Sequence, residues 1–356
     1  MRSDAKTFAF QREVHRDLGR FVNGQWIGRR GGLLVTPKQV RHKAHVYAAY
    51  LARRYRELSK ALSSAALKRT ALAKIVKEYR GRVECLLSLR DYLNEHIQME
   101  SVRVYVHGSL ATGEEISYSD VDLLVVVRSS VLGNATRLAE TALRLTQARR
   151  LIVRHDVLQH HGFFVLSEVE FDFYCNAYFP HVLFDHAKAL LPHSEHTLRI
   201  RLRPSCGEEQ ESLARMLDAI EGKLRAGRYP RNYYELKLLL SQIMLVPSLY
   251  LQARGQPVFK RDSFELARSD FTPVEWRVVD VASQMRLEWD FRPNLLSRFL
   301  TRYWPSPFAV TIYQKKIGQP VSPKMGRYLT DSFYQGALRF VAAVRAKGLA
   351  GRERRS

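Results

Sequence analysis

His107-Gly108-Ser109-Leu110-Ala111-Thr112-Gly113-Glu114-Glu115-Ile116-Ser117-Tyr118-Ser119-Asp120-Val121-Asp122-Leu123 is the stretch that decides the reading of this 356-residue chain. Val102–His107 before it alternates and is rich in β-branched residues, which predicts a strand. Val121–Val127 carries almost no polar side chain after Asp122, as expected of a strand covered on both faces. Side chains two apart on a strand share a face, so Asp120 and Asp122 present both carboxylates to one side. Two unit charges ~4 Å apart repel by ~4 kcal/mol at an effective dielectric near 20. A cation between them removes that cost, and hard oxygen ligands select Mg²⁺ or Mn²⁺.

Gly108 and Ser109 stand at the mouth of the preceding strand. Glycine lets a phosphate approach the backbone with no Cβ in the way, and the Ser109 N–H and hydroxyl can donate to its oxygens. A phosphate cradle and a carboxylate pair on adjacent elements suit a nucleoside triphosphate chelated by Mg²⁺.

Around this stretch the chain divides in three. Residues 1–98 form a basic region, irregular to about 35 because of Gly24, Gly28, Gly31 and Gly32. Thr36-Pro37 then reads as an N-cap with proline at the first helical position. Helical runs are expected from there to about His96, including 63–79 and 81–97. Residues 99–180 form a small α/β core, with a helix over 131–149 and further strands at Leu151–Leu158 and Gly162–Leu166. Residues 181–356 read as helical, at 181–191, 208–226, 232–253, 262–269, 273–289 and 330–347, with a basic tail. Trp276 and Trp289 fall at core positions of one such helix.

The formal net charge is +22. Residues 1–100 hold 21 Lys/Arg against 9 Asp/Glu, so more than half of the excess lies there. Such a balance favours polyanions and disfavours a cationic acceptor. Cys85, Cys175 and Cys206 are too few and too scattered for a disulfide framework or a zinc site. No apolar leader begins the chain, and the apolar stretch Leu236–Leu251 is short and broken by Lys237, Gln242 and Pro247, so a cytoplasmic protein off the membrane is expected. No pattern indicates an oligomeric state.

Gly-Ser, ten residues, then Asp-Val-Asp-Leu resembles the signature of the DNA polymerase β-like nucleotidyltransferase superfamily. Ala111-Thr112-Gly113 and Ser119 resemble its smaller bacterial members. The resemblance implies an α+β fold: a small mixed-sheet catalytic core flanked by the N-terminal helical segment and a helical C-terminal domain. It implies two Mg²⁺ ions, with Mn²⁺ an alternative, and a nucleoside triphosphate as substrate. It also implies a third carboxylate on a later strand, to bridge the ions and act as base. Asp156, at the end of the strand expected at Leu151–Leu158, is the first choice. Glu170 and Asp172, two apart in Val169–Phe173, are its rivals. His160 and His161 follow closely, but adjacent residues on a strand face opposite ways, which argues against a shared metal. Glu235 through Ser263 is similar to the helical domain beside the core in antibiotic and related small nucleotidyltransferases. Such domains supply a lysine to the β- and γ-phosphates, here Lys260 in an interhelical loop, with Lys237 the alternative. The implied reaction moves a nucleoside monophosphate from a triphosphate to an acceptor hydroxyl, RNA or protein before a small molecule, with release of pyrophosphate. The rival reading is a nucleotide- or RNA-binding regulatory module whose catalysis has lapsed.

Overall fold

The computed structural model describes residues 2–27, 37–64, 68–98, 100–192, 197–303 and 307–349. Gly28, Gly31, Gly32, Thr36, Pro305 and the basic tail from residue 350 lie outside them. The chain opens with helices α1 (Arg2–Val22) and α2 (Pro37–Ser63), then β1 (Thr70–Ile75), β2 (Lys77–Glu78) and α3 (Glu84–His96). The central run is β3 (Val102–Val106), α4 (Ser109–Thr112), β4 (Leu123–Val127), α5 (Ser129–Leu132), α6 (Ala135–His155) and β5 (Phe164–Ser167). Strands β6 (Lys188–Ala189) and β7 (Thr197–Leu202) follow. The rest is helical: α7 (Glu208–Arg225), α8 (Tyr233–Ala253), α9 (Lys260–Arg268), α10 (Pro273–Leu287), α11 (Leu295–Tyr303), α12 (Pro307–Ile312), α13 (Pro323–Gly326) and α14 (Asp331–Leu349).

The fold is α+β. A mixed sheet runs β2-β6-β3-β4-β5, with β3 antiparallel to β4 and β4 parallel to β5, and β1 pairs with β7 in a separate ribbon. Every residue of β3 and β4 is buried, as expected of strands covered on both faces, and their one charged side chain, Arg103, is paired with Glu168. On one face Val104, Val106, Leu123 and Val125 join Leu18, Leu51, Leu89 and Leu145 from α1, α2, α3 and α6. On the other, Tyr105, Leu124, Val126 and Leu166 meet Phe179, Phe184, Leu198 and Ile200. Each fully buried Leu, Val or Phe contributes ~1.5–3 kcal/mol, so the two covered faces hold the sheet rigidly beneath the site.

A separate core joins α7, α8, α10 and α14. Trp276 and Trp289 are buried there, as their spacing predicts. The same core takes in Tyr118, Val157 and Leu158, which seat the helical region against the acid-bearing segment. Helix α8 is 21 residues long and apolar enough by composition to match a membrane span, more so than Leu236–Leu251 suggested. It is 72% buried in the protein, so its apolar character is that of a core helix.

Several expected elements differ. The first 35 residues were expected to be irregular, yet α1 is a helix whose Phe8, Val14, Leu18 and Phe21 are buried. The 63–79 helix is instead the end of α2 followed by β1 and β2, because Thr70–Ile75 pairs in register with Leu202–Thr197. Leu151–Leu158 is not a strand: it is the last turn of α6 and the loop beyond. Val169–Phe173 lies in a 3₁₀ turn, and 181–191 is a 3₁₀ turn followed by β6. No disulfide joins the three cysteines to one another, and Cys85 and Cys175 are buried while Cys206 is exposed.

Candidate active site

His107 follows the end of β3, and its N–H donates to the Asp122 carbonyl at 3.0 Å, which extends the β3–β4 ladder up to the acids. Asp120 and Asp122 therefore lie just before β4 rather than within it. Between them Val121 is buried, and the Gln159 side chain grips both its N–H (3.0 Å) and its carbonyl (3.1 Å). Tyr118 fixes the other side, its hydroxyl 2.7 Å from the Lys237 carbonyl and 2.6 Å from Ser241 Oγ on α8.

Gly108 caps the four-residue α4 that Ser109 begins, with φ 69° and ψ −156°. That positive φ favours glycine, and a Cβ there would lie 2.5 Å from Asp122 Oδ2. The glycine turn and the second acid are thus in direct contact, which brings Gly108, Ser109, Asp120 and Asp122 into one corner.

Basic groups surround the acids. Lys237 Nζ, on α8, lies 2.8 Å from Asp120 Oδ1 and 2.6 Å from Asp156 Oδ2. His160 Nδ1 is 3.3 Å from Asp120 Oδ2, and His161 Nε2 is 3.0 Å from Asp122 Oδ1. Burial alone would raise both carboxyls. For Asp120 the Lys237 charge and then the histidines outweigh it, and for Asp122 the His161 contact does, so both sit below the usual carboxylate range. His161 moves the other way: burial would lower it, but Asp122 and Asp120 carry it up to about 9. His107 has no such partner close enough, and burial takes it down to about 4, so it stays neutral between Phe164 and Phe179.

Lys260 is the first residue of α9 rather than a loop residue. Burial and the nearby Arg286 charge lower its ammonium to about 8, against the pull of Asp122 and Asp120. Arg286 itself lies 4.9 Å over the Tyr118 ring and is also lowered by burial. An Arg261–Glu114 ion pair ties the start of α9 to the loop after α4.

The third carboxylate is where sequence and structure part. Asp156 caps the C-terminus of α6 instead of ending a strand. It is near Asp120, but one oxygen is held by Lys237 and the other accepts the Leu158 N–H at 2.8 Å. Glu170 is buried in a capping box with Ser167 and contacts His15 at 2.8 Å. Asp172 is exposed and pairs with Arg201. Register explains the gap. Leu124 is paired with Phe164, so the first residue of β5, beside the acid-bearing end of β4, carries no carboxylate.

Gln159, Arg286 and the two histidines were the groups that sequence reasoning missed or undervalued. His160 and His161 were set apart as facing opposite ways, but their segment is a loop and both rings turn to the acids. Asp120, His160 and His161 offer ligand atoms all within 4.8 Å of one another. Asp122 adjoins this set through its contact with His161. Asp156 lies beside this set with its oxygens held by Lys237 and the Leu158 N–H, and Lys237 bridges it to Asp120.

A family model described as a nucleotidyltransferase domain matches residues 86–173, from α3 to the turn after β5. No curated protein and no solved structure matches the chain.

Proposed function

From the premise that residues 86–173 are a nucleotidyltransferase domain of the polymerase β-like kind, we propose that the chain moves a nucleoside monophosphate from a triphosphate to an acceptor hydroxyl. The observation that carries this is the contact of the Gly108 turn with Asp122, beside Asp120. It sets a place for phosphate against a place for a cation.

A divalent cation held by Asp120 and Asp122 supplies charge neutralisation of the triphosphate and polarises the reacting phosphoryl group. The chain's own residues do the rest. The Ser109 N–H and hydroxyl receive the phosphates at the turn, where the absent Cβ of Gly108 leaves the backbone open. Lys260 and Arg286, cations without an ion-pair partner among the described contacts, face the β- and γ-phosphates and stabilise pyrophosphate as it leaves. Asp156 holds Lys237 against Asp120, which keeps that carboxylate ionised and fixed. Gln159 prevents the acid-bearing segment from shifting.

The acceptor is a polyanion such as RNA, or a protein, before a cationic small molecule. The charge of +22 supports this, as does a cleft of about 720 Å³ between α2, α3 and α6. Arg41, Arg137, Arg144 and Arg150 line it, with Glu140 the one acid among its lining residues. Phosphate neutralisation at such a surface dominates nucleic-acid affinity.

One observation favours a second reading, a nucleotide-binding regulatory module: no third carboxylate stands free beside Asp120 among the described residues. Incubation with each α-³²P-labelled triphosphate, divalent cation and total RNA or lysate separates the two. Label on RNA or protein that is lost in Asp120→Asn and Asp122→Asn supports transfer. Thermal stabilisation by nucleotide with no label in any fraction supports the binding module and refutes the enzyme.

A further inference from the structure

The loop that carries His160 and His161 is held as firmly as the acids. Gln159 bonds to Val121 from below, and Gln314 Nε2 donates from the helical region to the Val157 carbonyl (2.8 Å) and the Gln159 carbonyl (3.1 Å). Two independent buried contacts thus aim the imidazoles at Asp120 and Asp122. A packing role for the histidines does not require this.

The ring nitrogens have ligand geometry. Around an ion with bonds of ~2.1 Å, neighbouring donor atoms lie about 3.0 Å apart and opposite ones about 4.2 Å. His161 Nε2 and Asp122 Oδ1 are 3.0 Å apart, and His160 Nδ1 and Asp120 Oδ2 are 3.3 Å apart. His161 Nδ1 lies 3.0 Å from the Gly162 carbonyl and 3.3 Å from Gln159 Nε2, contacts that hold the ring in place. Nε2 faces the Asp122 carboxylate at 3.0 Å, where a bound metal ion would take the place of the proton the two otherwise share. Metal-bound histidines are typically oriented by this second contact. His160 Nδ1 and Asp120 Oδ1 are buried, with Asp120 Oδ2 and the Lys237 ammonium as their respective neighbours.

We infer that His160 and His161 complete the cation site of Asp120 and Asp122 as nitrogen donors, so that it takes a first-row transition ion such as Mn²⁺ in preference to Mg²⁺. The inference rests on the reading of the two aspartates as cation holders. Two imidazoles supply donors where Phe164, the first residue of β5, has no side-chain oxygen to give. Mg²⁺ demands oxygen ligands and sheds water reluctantly, whereas imidazole suits transition ions.

The full chain, freed of metal by chelation, is titrated with Mn²⁺ and followed by electron paramagnetic resonance, with Mg²⁺ as competitor. Pulsed measurements on the wild type read ¹⁴N coupling to the bound ion. We expect nitrogen coupling, displacement only by a large excess of Mg²⁺, and Mn²⁺ binding about 10–100-fold weaker in His160→Asn and His161→Asn, the scale of a disturbed ligand sphere. Mg²⁺ affinity should change far less. Bound Mn²⁺ without nitrogen coupling overturns the inference whether or not the variants fold. If Asp120→Asn/Asp122→Asn abolishes Mn²⁺ binding while the wild type shows no ¹⁴N signal, only the histidine assignment fails. If Mn²⁺ binds that double variant as it binds the wild type, or does not bind the wild type at all, the aspartate site fails with it.

Discussion

Lys237 Nζ lies 2.8 Å from Asp120 Oδ1, so a lysine of helix α8 and the first acid of the segment before β4 form a buried ion pair. Lys237 is 2% exposed and also meets Asp156 at 2.6 Å. Its ammonium is raised because the two carboxylates outweigh burial. Lys237→Met leaves both carboxylates buried without their cation. Breaking such an arrangement from one side costs about 3–5 kcal/mol. Urea unfolding should show a loss of this size, and added divalent cation should restore more stability to the variant than to the wild type. A loss under about 0.5 kcal/mol would show that the lysine is an ordinary surface charge.

Gly108→Ala tests the contact between turn and acid. The new Cβ would stand 2.5 Å from Asp122 Oδ2 on a backbone with φ 69°, so both strain and collision oppose it. The cost in stability should be about 1–3 kcal/mol, with the fold retained because both sheet faces are covered. Nucleotide transfer should fall by at least about 100-fold, since displacement of a reacting constellation by ~1 Å has that effect. Ala at the neighbouring Gly113 has open space around it, and although its φ of 71° adds strain, it should spare most transfer.

The sequence-predicted acids separate by environment. Asp172 is 64% exposed and paired with Arg201, so Asp172→Asn should leave transfer and stability within about 0.5 kcal/mol of the wild type. Glu170→Gln disturbs a buried capping box and the His15 contact, and should cost about 1–3 kcal/mol of stability without acting on the chemistry. Asp156→Asn should lower kcat through release of Lys237, with KM for the triphosphate little changed. Steady-state kinetics and melting curves on the three variants check this order. Full loss of transfer in Asp172→Asn would restore a catalytic role to that residue.

The part of the fold read most directly from sequence is the part where local pattern and burial agree. Apart from Arg103, β3 and β4 are apolar or aromatic because helices and aromatic side chains cover both sides, and α7, α8, α10 and α14 carry long apolar periods. β1 was hidden because Thr70–Ile75 is composed largely of helix formers and becomes a strand only by pairing with β7. Thr197–Leu202 did carry the signal, since Leu198, Ile200 and Leu202 alternate with Thr197, Arg199 and Arg201. At the site, Gly108, Ser109, Asp120 and Asp122 were legible from spacing. The histidines were not, because strand parity was applied to residues that lie in a loop. Nor was the engagement of Asp156, which depends on a lysine 81 positions away.

Lys260 gives the site a pH signature. Its ammonium is lowered to about 8 by burial and by Arg286. A cation depressed below its unfolded value penalises the fold fully at pH below 8, and the penalty is relieved as pH rises from there toward 10.5. A bound triphosphate reverses the balance by holding the ammonium charged. Affinity for a non-hydrolysable triphosphate should therefore be flat below pH 8 and weaken above it, by up to about tenfold per pH unit, as binding must then take up a proton. Lys260→Arg keeps its charge throughout this range and should flatten the profile. Lys260→Met should lower affinity at pH 7 and also lose the step. His161, carried up to about 9, loses its charge in the upper part of the window, so a residual slope in Lys260→Arg above pH 8.5 reports that group. Calorimetry from pH 7 to 9.5 without divalent cation isolates the lysine. A wild-type profile as flat as that of the arginine variant would remove Lys260 from the phosphate site.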